Sequence, residues 1–225
     1  MASANLQTLY RVLREAYGHR RWWPAQSPWE MMAGAVLTQN TNWKNVERAI
    51  EALRRAEVLE PRRILELPLE ELQTLIRPAG YFRQKAARLR ALADWFVRRL
   101  DADPAALRAM HPLDLREELL AIRGIGRETA DSICLYAAGK PVFVVDAYTA
   151  RVCARHGLIP RDADYEEIRE YFESSLPPDV ELFRDFHAQF VEVGKRYCRR
   201  RPRCTGCPVP QALGPPRLEP EELEG

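Results

Sequence analysis

Three stretches of the chain combine residue types and spacings that could do chemistry. The first is Ile122-Arg123-Gly124-Ile125-Gly126-Arg127-Glu128-Thr129-Ala130, two glycines two apart between helical patterns. Such a turn exposes backbone N–H groups at the start of a helix, a ready anion site, because glycine lets a phosphate approach closely. The same spacing also serves a plain helical hairpin in which the glycines only turn the chain. The second is Asp146, which follows Val142-Phe143-Val144-Val145 and opens the helical pattern Ala147 to His156. That position is a helix N-cap, which Asp fills well, and it also sets a carboxylate at a pocket edge, where it can stabilise developing positive charge. The third is Cys198-x5-Cys204-x2-Cys207, embedded in the basic run Lys195 to Arg203. Three thiols at that spacing can ligate metal, and the arginines around them can contact phosphate whether or not metal is present.

The elements that must position these residues read as helices. Leu6, Leu9, Tyr10, Leu13 and Ala16-Tyr17 recur at helical spacing until Gly18. Further helical patterns run over Trp29–Thr38, Asn42–Ala56, Leu69–Ile76, Arg83–Leu100 and Pro112–Ala121, then from the glycine pair to about Ala138, and over Ala147–His156, Tyr165–Ser174 and Val180–Tyr197. Asp101, Pro104 and His111-Pro112 punctuate them. The one strand-like run, Val142–Val145, has no partner run and reads as a buried extended connector. No repeat period is evident. The stretch from Pro208 through Pro220 reads as a mobile Pro-rich tail.

Composition bounds the rest. The 225 residues are 46% hydrophobic and 29% charged, which excludes a disordered chain. With Lys+Arg 34 against Asp+Glu 32, bulk charge implies no polyanion partner; the basic run at 195–203 and the acidic stretch at 219–225 carry a local asymmetry instead. No signal-peptide core follows Met1, and the longest uncharged apolar run, Met31–Leu37, is too short to span a bilayer. The expected location is therefore cytoplasmic, with no membrane partner, and the five cysteines are expected as free thiols or metal ligands. Cys134 and Cys153 read as buried apolar residues, as do Trp29 and Trp95.

The segment Leu119 to Asp146 resembles the helix-hairpin-helix, Gly/Pro-rich loop and aspartate of the endonuclease III superfamily of DNA glycosylases. The loop reads Gly139-Lys140-Pro141-Val142-Phe143-Val144-Val145-Asp146. The resemblance continues in Val36-Leu37-Thr38-Gln39-Asn40-Thr41, in Arg77-Pro78-Ala79-Gly80-Tyr81-Phe82-Arg83-Gln84-Lys85-Ala86 and in the cysteine loop. A narrower likeness, to the endonuclease III-like 3-methyladenine DNA glycosylases, lies in Gly124 to Ala137, in Trp22-Trp23-Pro24 and in Phe186 to Lys195.

The resemblance implies an all-α fold of two helical lobes with a DNA-binding cleft: a helical barrel domain over 24–141, and a second domain of 1–23 with 142–225 that carries the cysteine loop. It implies a monomeric enzyme of base excision repair that binds double-stranded DNA containing a damaged base. In that family Gly124, Ile125, Gly126, Arg127 and Thr129 fall in the DNA-gripping hairpin, with a monovalent cation as an expected companion. Asp146 falls at the catalytic carboxylate, where N-glycosidic cleavage passes through an oxocarbenium-like state. Gln39 matches the glutamine that fills the gap left by a flipped nucleotide, and Tyr81 the intercalating wedge. Trp22, Trp23 and Trp43 match positions that shape an alkylpurine pocket, where a cationic base meets indole faces. Lys195, with His187 on the same helix, borders that pocket in the relatives.

Two departures matter. Bifunctional relatives carry a lysine where this chain has Glu128, and a carboxylate cannot form an imine. The expected activity is thus monofunctional removal of an alkylated purine. The competing readings are an enzyme for oxidised pyrimidines, with Lys140 or Lys195 as substitute nucleophile, and a non-catalytic DNA-binding hairpin. The cysteine pattern departs from the family's C-x6-C-x2-C-x5-C: the first gap is one residue shorter, and Leu213 stands where the fourth ligand would fall. Cys198, Cys204 and Cys207 are left to hold a [4Fe–4S] cluster with another fourth ligand, or zinc, or nothing.

Overall fold

The computed structural model describes residues 2–20 and 23–217. Among them all regular structure is helical. The chain divides into two compact units, one of residues 23–140 and one of residues 1–22 with 141–225. No helix among the described residues is long and apolar enough to cross a membrane.

The 23–140 unit is built around α2 (Pro28–Thr38). Apart from Glu30 its sequence is apolar on every face, and every residue from Trp29 to Leu37 is buried, as expected of a central helix. Ser27 starts it by accepting from the Glu30 amide, with Pro28 in the first turn. Around it lie α3 (Trp43–Arg55), which buries Val46, Ala49, Ile50 and Leu53 at helical spacing, α4 (Pro61–Glu66) and α5 (Leu69–Leu75), then α6 (Phe82–Leu100), α7 (Pro104–Ala109) and α8 (Pro112–Ala121). The hairpin leads into α9 (Arg127–Ser132), which continues as a π-helical segment over Ile133–Ala137. An ion pair joins the two hairpin helices: Arg116 Nε lies 2.6 Å from the fully buried Asp131.

Lys85 is 1% exposed and caps two chain ends inside this unit. Its Nζ donates to the carbonyls of Leu37 (2.9 Å) and Ala79 (2.8 Å). Those carbonyls sit at the end of α2 and in the 3-10 turn Arg77–Ala79, where backbone acceptors lack helical partners. Burial, with help from nearby Arg88, lowers the Lys85 pKa to about 8.

The other unit comprises α1 (Ala2–Tyr17), α10 (Ala147–Arg155), α11 (Tyr165–Ser175), α12 (Val180–Arg196) and α13 (Val209–Leu213). Asp185, fully buried on α12, ties down the N-terminal segment. It accepts from Tyr10 Oη (2.8 Å), Arg14 (3.1 Å) and the Arg20 amide (2.7 Å). The run Val142–Val145 is extended and buried without a strand partner. Side chains meet its amides instead: Glu173 accepts from Phe143 N at 2.8 Å, and Tyr165 Oη from Val145 N at 3.4 Å. Phe143 stacks on Phe172 with ring centroids 4.0 Å apart. That packing fixes the approach to Asp146.

Three expectations change. Pro104 starts a helix rather than interrupting one, because Asp103 caps the amides of Ala105 and Ala106. Trp95 is half-buried, and its indole N–H donates to Glu118 at the surface of α6. The Pro-rich stretch through residue 217 is packed rather than loose: Val209 is fully buried, and the Arg217 amide donates to Arg155 O at 2.6 Å. The rest of that stretch lies outside the described residues.

Candidate active site

In the 23–140 unit the hairpin follows α8 directly. Ile122 ends the helix, Gly124 turns the chain at φ +89°, and Gly126 begins α9. Gly124 is required twice, by its left-handed backbone and by Arg88, whose side chain would lie 2.6 Å from a Cβ there. Gly126 is different. Its φ of −92° suits any residue, and a Cβ would meet nothing within 4 Å. Neither turn geometry nor packing within the described residues calls for glycine at 126. Ile125, 4% exposed, anchors the turn from below, while Arg127 faces solvent.

Gln39 braces the hairpin. Its Nε2 donates to Gly124 O (3.2 Å) and to Thr129 Oγ1 (3.0 Å), and its Oε1 accepts from Arg88. The Thr129 side chain is accordingly turned inward and buried. Nothing in the sequence marks Arg88 beyond its register on α6, one turn past Lys85. Tyr81 precedes α6 with φ +45° and is 64% exposed, the ring projecting into solvent. Lys140 Nζ donates to the carbonyl of Arg108, and Glu128 lies exposed in the first turn of α9.

A cavity of about 350 Å³ opens in the same unit beside Trp23 and Trp43. The two indoles meet edge to face, 5.5 Å between centroids, and Trp23 also lies 5.4 Å from Tyr136. Tyr136 belongs to the π-helical segment, whose extra residue per turn re-aims a side chain in a way no periodicity count anticipates. Trp23 stands at φ +71°, and its indole lies against Gly34 of α2. The charged residues of the lining are Glu30, Glu47 and Glu51 against one arginine, Arg54. Arg54 pairs with Glu30 (3.0 Å) and Glu51 (2.7 Å), while Glu47 accepts from the Trp43 indole at 2.9 Å. Trp22 lies outside the described residues.

In the other unit Asp146 caps α10, its Oδ1 accepting from Thr149 N (2.7 Å) and Thr149 Oγ1 (2.9 Å). The other oxygen, Oδ2, lies 3.5 Å from His187 Nε2 on α12. Burial pushes the Asp146 pKa up, but His187 and the two Thr149 donors outweigh it, and the carboxyl is held below its ordinary value. His187 is thus the partner of the carboxylate, a role that its place in a run of core phenylalanines disguised in the sequence. α12 can approach so closely because of Gly194: a Cβ there would fall 2.0 Å from Tyr148 Cδ1. Lys195, the next residue, is exposed.

Near the end of the same unit a second cavity, of about 120 Å³, is lined by Cys198, Cys204, Cys207, His156 and Arg155. All five cysteines are free, and Cys134 and Cys153 are buried as expected. No three His, Cys, Asp or Glu side chains among the described residues are gathered closely enough to hold a metal ion. By chemistry, the thiols and imidazole on this cavity wall are the donor types that suit an iron–sulfur cluster.

Comparison with known proteins places this architecture. A candidate DNA repair glycosylase of Methanocaldococcus jannaschii is 46% identical over 89% of this chain and 92% of its own length. Endonuclease III of Thermotoga maritima is 30% identical over 80% of this chain and 79% of its own. The crystal structure of H. pylori 3-methyladenine DNA glycosylase bound to 1,N6-ethenoadenine superposes with a TM-score of 0.71 at 28% identity, covering 85% of this chain and 97% of that one. Residues 33–178, which contain the hairpin, Asp146 and the packed connector between them, match the HhH-GPD superfamily of base excision DNA repair proteins; the chain belongs to that family and is a DNA glycosylase.

Proposed function

We propose that the enzyme is a monofunctional glycosylase that hydrolyses the N-glycosidic bond of alkylated purines of the 3-methyladenine type in double-stranded DNA. The observation that carries this reading is the cavity beside Trp23 and Trp43. Its volume of about 350 Å³ lies in the range of small-molecule sites. Indole faces and an excess of carboxylates suit a base that is both flat and cationic, which an alkylated purine is and an oxidised pyrimidine is not. The H. pylori relative, whose structure holds a modified adenine, supports the same class.

The chemistry falls to Asp146. A carboxylate held ionised by His187 and Thr149 would stabilise an oxocarbenium-like sugar, and its Oδ2, which faces His187, would orient the attacking water. Glu128 supplies no amine and Lys140 is bonded to a carbonyl, so of the two substitute lysines only the exposed Lys195 is left for an imine route, and a borohydride-trapped adduct would reveal it. At the hairpin, open space over Gly126 suits a closely approaching phosphate. Gln39 would fill the space of the extruded nucleotide and Tyr81 would wedge the duplex.

The test is free-base release from methylated duplex DNA, run beside a thymine-glycol duplex, each with and without alkali. Release of 3-methyladenine, with strand breaks only after alkali and no borohydride-trapped adduct, is the expected result. Thymine-glycol cleavage with spontaneous nicking would refute it. Asp146→Asn, which keeps a good N-cap, should bind damaged DNA while releasing base at least about a hundredfold more slowly.

A further inference from the structure

The cavity of the cysteine loop has an acceptor that the sequence pattern does not reveal. His156 follows α10 directly, more than forty residues before the first cysteine of the loop. Its buried imidazole lines the cavity together with Cys198, Cys204 and Cys207. The ring is held by Nδ1, 3.1 Å from Gly214 O. A carbonyl can only accept, so Nδ1 carries the proton and Nε2 keeps a lone pair. Gly214 follows Leu213, the residue that stands where the fourth thiolate of the family's pattern would fall. The imidazole is therefore tied to the chain segment in which the family's fourth thiolate would fall, by the kind of outer hydrogen bond that orients a metal-binding histidine.

Charge points the same way. Arg155 is 2% exposed, and no carboxylate among the described residues pairs with it. Its Nη1 donates to Cys198 Sγ at 3.1 Å and to Arg199 O, its Nη2 donates to Arg200 O, and its Nε has no partner. Removing one guanidinium from water without an anion is costly, and a neutral thiol does not offset that cost. A thiolate-ligated group in the cavity supplies the missing negative charge at the atom Arg155 already contacts. The cavity, about 120 Å³, is several times the space of one water molecule, more than a single ion needs. The Arg217 amide, bonded to Arg155 O, closes the stretch after Gly214 against the same wall.

We propose that His156 supplies, through Nε2, the fourth ligand of a [4Fe–4S] cluster held in this cavity by Cys198, Cys204 and Cys207. When bound, the cluster would cross-link the end of α10 to the C-terminal loop. Arg155 would stabilise its thiolate charge through the contact to Cys198.

The experiment uses the full chain purified without oxygen from iron-supplied cells, alone and with 15N-labelled histidine. Iron, acid-labile sulfide and zinc are measured per chain, and the reduced protein is examined by pulsed EPR. The expected result is about four irons and four sulfides per chain, with a directly coordinated histidine nitrogen whose coupling changes on 15N labelling. His156→Cys should keep the iron and abolish that coupling; His156→Ala should lose at least half of the iron. One zinc per chain with no sulfide, or no bound metal, would overturn the proposal. So would a cluster without histidine coupling, or one whose iron content and EPR signal are unchanged in His156→Ala. If His156→Ala does not fold, the labelled wild type and His156→Cys still decide the question.

Discussion

Gly194→Ala tests the close approach of α12 to Tyr148 in the unit that carries Asp146, because its sign alone discriminates. Gly194 lies in the last turn-and-a-half of α12 with helical backbone, so replacing it with alanine would ordinarily stabilise the helix by about 1 kcal/mol. The added methyl, however, would stand 2.0 Å from Tyr148 Cδ1, 2.4 Å from Cγ and 2.7 Å from Cβ. The first two contacts can be eased by turning the ring. The third involves the atom that joins ring to backbone, which no rotamer change moves. Overpacking of this kind costs about 3 kcal/mol at the upper end of its usual range. Set against the helical gain, the net loss is about 2 kcal/mol, or about 4–8 °C in Tm for a chain of this size. The assay is thermal and urea unfolding of wild type, Gly194→Ala, Tyr148→Gly and the double variant, because only glycine at 148 removes the Cβ as well as the ring. In the Tyr148→Gly background the alanine should become neutral or stabilising, reversing its sign. A Gly194→Ala protein more stable than wild type, or an equal loss in both backgrounds, would refute the contact.

Four further outcomes are expected. Because the Lys85 pKa is lowered from its ordinary 10.5 to about 8, the unfolded chain binds more protons between those values, and stability gains up to about 3 kcal/mol as pH rises through that window. The difference in unfolding free energy between wild type and Lys85→Met should therefore grow in favour of wild type from pH 7.5 to 10.5; a constant difference would refute the burial cost. His187→Asn removes the largest of the contacts that oppose burial at Asp146, so the carboxyl pKa rises and the acid limb of single-turnover base release should move to higher pH than in wild type. Superimposable pH profiles would show that His187 does not hold the carboxylate. Gly34→Ala puts a methyl 3.2 Å from the Trp23 indole nitrogen, and should slow release of 3-methyladenine roughly threefold to tenfold while changing stability by less than about 1 kcal/mol. Tyr81→Gly relieves a left-handed backbone at an exposed site, so stability should hold or rise by about 0.5 kcal/mol while activity on duplex DNA falls at least about tenfold and activity on a single-stranded substrate does not.

The long helices were legible because burial imposes a period. Val46, Ala49, Ile50 and Leu53 mark one face of α3, and the run from Trp29 to Leu37 is apolar enough to need burial on all sides. Short helices were not legible: α4, α7 and α13 have five or six residues, too few to display a period, and proline signals a start and a stop alike. The hairpin and Asp146 could be read because glycine and a capping carboxylate act through the local backbone. Their partners could not. Arg88 reaches Gln39 and His187 reaches Asp146 through tertiary packing, which the helical pattern around each does not show; the resemblance alone pointed to His187, as a residue bordering the pocket.

The backbone adds a layer that side-chain type hides. Trp23, Asn40 and Tyr81 all occupy φ between +45° and +71°. Asparagine tolerates that region, but for tryptophan and tyrosine it costs about 1 kcal/mol or more, and glycine would be the economical choice for either turn. At 81 the chain already places glycine immediately before, yet keeps an aromatic ring that is two-thirds exposed and packs on little. At 23 the ring is held against Gly34 on one side and Trp43 and Tyr136 on the others, so the strain fixes an indole at a cavity wall. Stability alone explains neither choice. Both follow if the rings are needed where they stand, one to enter a duplex and the other to face a base.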